Sequence, residues 1–198
     1  MALAPFMIDY SAGKLLAISG LWLLTIQAYS CKLYNLIILN LIGIIGYTYA
    51  LYFDLDDTTI NSHHRQGETL EDWIANNTPE NVAKDSLLPL AHSWRTIDQS
   101  RDTVVIMTSR VIGNADLAFL ARSDLRYRFI YSRPEGSQIP CGQLKAAMVR
   151  QCARDLGWSL ARLTNHAYMF DDSSEVRESL TAMGVRCYNP ISYNARNA

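Results

Sequence analysis

From Tyr49 onward the sequence alternates between two hydrophobic periods, and that alternation leaves few folds open to it. Short β-branched and aromatic runs read as buried strands at Tyr49–Phe53, Thr103–Thr108, Arg126–Tyr131, Ala167–Phe170 and Val185–Tyr188. Between them lie stretches of helical period. Ser86–Ile97 carries apolar residues at Leu87, Leu88, Leu90, Ala91, Trp94 and Ile97. Gly142–Leu156 stops at Gly157, and Ser173–Met183 opens on Ser-Ser-Glu and closes at Gly184. Strands alternating with helices argue for an α/β fold with a central parallel sheet covered on both faces, a three-layer sandwich. In such sheets ligands bind beyond the carboxyl ends of the strands.

The first quarter of the chain has a different composition. Residues 1–50 hold only Asp9, Lys14 and Lys32 as charged side chains; beyond Leu51 there are 16 basic and 18 acidic residues. We therefore divide the chain into an apolar segment, 1–46, and a conventional body, 47–198. Leu15–Ala28 and Leu36–Tyr52 are strongly apolar. A span needs about 20 apolar residues, and the end of the second run must also form the first strand. A membrane-associated hairpin within residues 15–46, an extension outside the core, and extra structure packed on the body all fit. No basic region precedes the apolar run, which argues against a cleavable signal peptide. A net charge of -1 gives no global footprint for nucleic acid or an anionic membrane. Cys31, Cys141, Cys152 and Cys187 form no C-x-x-C pair and read as reduced thiols of a cytoplasmic protein. The Asn76-Asn77-Thr78 sequon reads as a chance match.

The chemistry is concentrated at the strand ends. Phe53-Asp54-Leu55-Asp56-Asp57-Thr58 follows the first strand, and three carboxylates in four residues repel unless a cation shares them. Oxygen-only ligands favour a hard divalent ion, with Mg²⁺ the usual one beside phosphate. Alone, the run reads equally well as a solvated acidic turn. Further polar signals then follow in order: Thr108-Ser109-Arg110 after the second strand, Lys145 near the start of a helix, and Asp171-Asp172 after the fourth strand.

In these motifs residues 49–190 resemble a haloacid dehalogenase-like phosphatase. Asp54 and Asp56 match its D-x-D-x-T motif, with Thr58 as the threonine; Thr108 matches the second motif, Lys145 the third and Asp171-Asp172 the fourth. Ser109 replaces Thr108 if the register slips by one, and Lys84 is a poorer rival for Lys145. Thr59 departs from the family, which has an apolar residue there. The resemblance implies a Rossmann-like fold, capless or minimally capped because residues 59–102 leave room for only a loop and one helix. It implies Asp54 as a nucleophile that becomes an aspartyl phosphate and Asp56 as general acid and base. Thr108 and Lys145 would clamp phosphoryl oxygens. Mg²⁺ would be held by Asp54, Asp171, Asp172 and the Asp56 region through a main-chain carbonyl. Thr58, Ser109, Arg110 and Arg133 are expected to contact the substrate.

Layout and motifs are also similar to the phosphatase half of phage-type polynucleotide kinase-phosphatases, including Arg110 and Arg133-Pro134. That points to a phosphorylated nucleotide or a nucleic-acid 3′-phosphate end as substrate. Arg122, Arg126, Arg128 and Arg133 form a local basic run. It reads as a solvated face balanced by Asp116, Asp124 and Glu135, with a groove for a phosphodiester backbone as the alternative. His63 and His64 read as incidental loop histidines. A non-catalytic binding module and a membrane-tethered interaction protein are the competing functions. Against the first, a dead enzyme has no need of Asp54, Asp56, Lys145 and Asp171 together.

Overall fold

The computed structural model describes residues 11–30 and 49–198, in two units that divide between Thr48 and Tyr49, two residues beyond the boundary expected above. In the first unit, helix α1 spans Ser11–Ser30. No helix of the described residues is long and apolar enough to cross a membrane. The membrane hairpin therefore has no support from α1, and its second arm lies outside the described residues.

The second unit is built on a parallel sheet of β1 (Ala50–Phe53), β4 (Thr103–Met107), β5 (Phe129–Tyr131), β6 (Ala167–Phe170) and β7 (Arg186–Tyr188). The spatial order is β5-β4-β1-β6-β7. β1 is central, with Ala50 opposite both Thr103 and Ala167, and Phe53 opposite both Ile106 and Phe170. The chain moves outward from β1 on one side, then returns to β6 on the other, so the strand order reverses beside β1. A crevice opens at such a point on the carboxyl edge.

Side-chain alternation explains the three layers. Ala50, Tyr52, Val105 and Met107 face one cluster with Leu144, Met148, Val149 and Cys152 of α6 (Cys141–Leu156) and Val176 and Leu180 of α8 (Ser174–Thr181). Phe53, Val104 and Ile106 face the other cluster. It holds Leu90, Ala91 and Trp94 of α4 (Pro89–Arg95) and Phe119 and Leu120 of α5 (Asn114–Arg122). Trp94 is wholly buried, stacks on Phe53 with centroids 4.9 Å apart, and donates its indole N–H to the Arg126 carbonyl. The remaining helices are α7 (Leu160–Asn165) and α9 (Ile191–Asn197).

Residues 59–102 hold more than a loop and one helix. Strands β2 (Ile60–Asn61) and β3 (Ser86–Leu87) pair antiparallel, a 3-10 turn spans His63–Arg65, and α2 (Leu70–Ala75) and α3 (Pro79–Val82) follow. The helix expected from Ser86 starts at Pro89 instead. The residue before a proline is pushed to extended backbone, and Leu88 has φ -85 and ψ 158. That frees Ser86 and Leu87 to pair with β2. Pro89 then fits the first helical turn, where no N–H is needed. The α6 stop is at Gly157, which adopts φ 65.

Two contacts fix the loop after β1. Thr59, the departure from the family pattern, is fully buried and donates its hydroxyl to the Asp54 carbonyl at 2.8 Å. Asn194 on α9 donates to the Thr58 carbonyl at 3.0 Å and accepts from the Leu90 N–H at 2.9 Å. Replacing Asn194 by Ala strips partners from two buried backbone groups, at about 1–3 kcal/mol each. We expect Asn194→Ala to lose about 2 kcal/mol or more of stability in denaturant unfolding; an unchanged midpoint would mean that α9 does not hold this loop.

Candidate active site

The strand ends converge as parallel register requires. Asp54 follows β1, Thr108 follows β4 and Asp171 follows β6, while Lys145 reaches the same point from the second turn of α6. Gly142 lets α6 approach α8: a Cβ there would meet the Ser179 Cβ at 3.0 Å and the Glu175 carbonyl at 3.2 Å. The Lys145 ammonium lies 2.7 Å from Asp54 and 2.6 Å from Asp171, with 1% of the residue exposed. Lys84 is exposed and donates to Asn81 of the helix just before it, at 3.4 Å.

Burial of these groups sets their charge states. Desolvation pushes Asp54 well above the usual carboxylate range; the Asp171 and Asp56 charges add to the rise and Lys145 opposes it. Burial works against the Lys145 charge, but Asp54 and Asp171 outweigh it and hold the proton on. Asp172 is raised by burial and then by Asp171. For Asp56, burial raises the carboxyl, yet the Arg110 charge and hydrogen bonds bring it below its ordinary value.

The three carboxylates of the first motif do not share one partner. Asp54 turns to Lys145. Asp56 accepts from both Nε (3.1 Å) and Nη2 of Arg110 and from the Ser62 hydroxyl. Asp57, at φ 55, accepts from Gln66 at 2.8 Å, with His63 beside it at 3.3 Å. The turn after β1 sends the three side chains to different partners. Asp54, Asp171 and Asp172 do cluster, each offering a carboxylate oxygen within 4.8 Å of the others. That oxygen-only donor set suits a hard divalent ion such as Mg²⁺. The Asp56 side chain is spent on Arg110 and Ser62, leaving its main-chain carbonyl as the only ligand it could add.

Several residues expected to touch substrate have partners within the protein. Thr58 is fully buried; its hydroxyl donates to Asp172 at 3.3 Å and accepts from the Asp172 N–H at 3.1 Å. Arg133 borders the cavity, but its guanidinium donates to the carbonyls of Ser109 (2.8 Å), Ser137 (3.1 Å) and Ile139 (2.7 Å) and to Cys141 Sγ. It straps the loop after β5 to the loop after β4. Arg110 is engaged by Asp56 and by Asp116 at 2.5 Å. The Thr108 hydroxyl accepts from the Arg110 N–H, whereas Ser109 borders the cavity with its hydroxyl buried and without a hydrogen-bond partner.

The basic run divides between the two edges of the sheet. Arg126 and Arg128 precede β5, at the edge away from the site; Arg126 pairs with exposed Asp124 and Arg128 lies over Phe129. Arg122 sits over Phe119. A single phosphodiester groove is therefore not formed by these residues.

Sequence reasoning missed a buried ion network beneath the site. Arg65, 2% exposed, donates to both oxygens of Asp85 (2.9 and 2.7 Å) and to Asn77 at 3.0 Å. Asn77 donates to Asp116 at 2.9 Å, and Asp116 accepts from Arg110, which holds Asp56. The insertion after β1 is thus wired to Asp56. Breaking a buried pair by removing one partner costs about 3–5 kcal/mol. Asp85→Ala should lose stability on that scale in chemical denaturation, while Asp124→Ala on the exposed pair should leave the midpoint nearly unchanged; equal effects would refute the network's weight.

A cavity of about 710 Å³ opens over Asp54 and Lys145, bounded by α2 of the insertion and by the loop running into α6. The fold around it is shared with known hydrolases. A haloacid dehalogenase-like family hydrolase from Streptococcus pneumoniae superposes with a TM-score of 0.53 at 11% identity, over 71% of this chain and 83% of that one. Chains in two structures of the Pnkp1/Rnl/Hen1 complex, one described as an RNA repair complex, match with TM-scores of 0.51 and 0.50 at 18% and 17% identity. Each covers 71% of this chain, and the match spans 45% and 41% of theirs. A search of curated proteins found no match. The family model for bacteriophage T5 5′-deoxynucleotidase matches residues 47–195, the whole sheet and every strand-end motif. On a haloacid dehalogenase-like hydrolase fold, the chain belongs to the bacteriophage T5 5′-deoxynucleotidase family.

Proposed function

We propose that this protein is a Mg²⁺-dependent phosphomonoesterase that hydrolyses deoxynucleoside 5′-monophosphates through an aspartyl phosphate on Asp54. The observation that carries the reading is the buried Lys145 ammonium bridging Asp54 and Asp171, with Asp172 completing a carboxylate cluster. The substrate class is taken from the family to which the chain belongs.

An Asp54 oxygen attacks phosphorus in line, and the 5′ oxygen leaves with a proton from Asp56. Water then attacks the acyl phosphate, Asp56 takes its proton, and phosphate departs, restoring Asp54. Arg110 favours the anionic Asp56 that the second half needs. For the first half, substrate must draw the Asp56 carboxyl partly away from Arg110. Lys145 spends two N–H groups on carboxylates and keeps a third for a phosphoryl oxygen. Mg²⁺, held by Asp54, Asp171, Asp172 and the Asp56 main-chain carbonyl, would neutralise charge on the transferring group. Thr58 and Thr59 act on positions, holding Asp172 and the Asp54 backbone.

The likeness to chains of an RNA repair complex is a likeness of fold, and it keeps a nucleic-acid end as the alternative substrate. Phosphate release from deoxynucleoside 5′-monophosphates and from 3′- and 5′-phosphorylated oligonucleotides separates the two. We expect turnover on the mononucleotide, abolished by EDTA, and reduced on the order of a thousandfold or more in Asp54→Asn. Faster turnover of an oligonucleotide end would replace this substrate reading, and activity surviving both EDTA and Asp54→Asn would end the mechanism.

A further inference from the structure

The cavity over Asp54 has two chemical halves, and only one is used by phosphoryl transfer. The other is apolar: Leu70, Trp73 and Ile74 from α2, Ile112 from the loop after β4, and Ile139 from the loop before α6. Ile74 and Ile139 are 41% and 46% exposed. Large aliphatic side chains left wet around a polar site gain by burial against an apolar ligand surface.

Trp73 is held in place by its own polar atom. Its indole N–H donates to the Gly67 carbonyl at 2.9 Å, which satisfies the ring's only donor and leaves the π surface for a planar ligand. The two walls meet across the cavity mouth, where Gln138 donates to Glu71 at 3.1 Å. The volume, about 710 Å³, lies within the range that encloses a small ligand.

Charge narrows the occupant further. Arg110, Arg133 and Lys145 are the described cations lining the cavity; Arg110 is paired with Asp56 and Asp116, and the buried Arg133 donates to main-chain carbonyls. Lys145 lies between Asp54 and Asp171 at the reaction centre. The described lining holds seven carboxylates, Glu68 among them, against these three cations, which disfavours a second phosphate. A polynucleotide end carries flanking phosphates that need such cations.

We infer that the Trp73–Ile139 cleft is a nucleobase slot, with Trp73 as the stacking platform for the base of the substrate. The inference rests on the phosphomonoesterase reading above and assigns the substrate's second anchor. Base–aromatic stacking is tolerant of base identity, since every base has a π face. The slot therefore discriminates base from no base more strongly than one base from another.

The test compares kcat/KM for a deoxynucleoside 5′-monophosphate with that for deoxyribose 5-phosphate, which keeps the ester and lacks the base. Trp73→Ala should lower this ratio by about tenfold or more, and Trp73→Phe should retain most of it. Ile139→Asp, on the opposite wall, should also lower it, and carries the test if Trp73→Ala fails to fold. A ratio unchanged in Trp73→Ala and Ile139→Asp overturns the slot, as does a wild type that hydrolyses both esters equally well. A wild type inert on both esters removes the phosphatase reading itself.

Discussion

The site is organised around one buried ammonium. Two carboxylates enclosed at the carboxyl edge of a sheet cannot both be charged without a partner, since each buried ion costs several kcal/mol of desolvation. Lys145 meets Asp54 and Asp171 together, and this ties α6 to the ends of β1 and β6. Even so, burial leaves Asp54 raised well above the ordinary carboxylate range. One ammonium does not fully compensate the cluster once Asp172 is counted, so its charge is left open to a further cation. The close contact of α6 with α8 at Gly142 helps set where that lysine sits; a larger residue there would push the helix, and Lys145 with it, outward.

A second buried network has the opposite balance. Arg65 and Arg110 face Asp56, Asp85 and Asp116, with Asn77 bridging, and nearly every polar atom in it has a protein partner. A closed network of this kind specifies geometry rather than binding ligands. It links residues 65–85, the small insertion, to the loop after β4 and thence to Asp56. In folds without a large cap the insertion has little apolar area with which to fix itself, and α2 buries none of its residues completely. Ion pairs under it supply the definition that packing does not.

The strand ends were legible in the sequence because they obey local rules. Apolar runs of four or five residues bounded by polar ones marked β1, β4 and β6, and the parallel sheet then forced Asp54, Thr108 and Asp171 to one edge. Lys145 was found by its position in α6. Partner choice was not legible. The sequence presents Arg110 and Arg133 as free cations beside a phosphate site, and only the fold reveals the carboxylates and carbonyls that consume them. Arg65, Asn77 and Asp85 gave no local signal, since their contacts cross 12 to 39 residues of chain. The Pro89 start of α4 could have been read: a proline three residues into an expected helix marks its first turn.

The cavity lining counts seven carboxylates, Asp54, Asp56, Asp57, Glu68, Asp171, Asp172 and Glu175, against three cations. A phosphate monoester carries close to two negative charges near neutral pH. Brought alone into that lining it would meet a net repulsion, because the carboxylates outnumber the cations, Arg110 is paired with Asp56 and Asp116, and Lys145 is shared between Asp54 and Asp171. On the reading proposed here, the electrostatics require the divalent ion before or with the substrate: it converts the Asp54–Asp171–Asp172 cluster from a repulsive wall into a neutral seat. The same reasoning explains why the remaining half of the cavity is apolar. With carboxylates outnumbering cations in the lining, affinity beyond the phosphate would on that reading come from surface that carries no charge, and Trp73 with the isoleucines of the lining offers it.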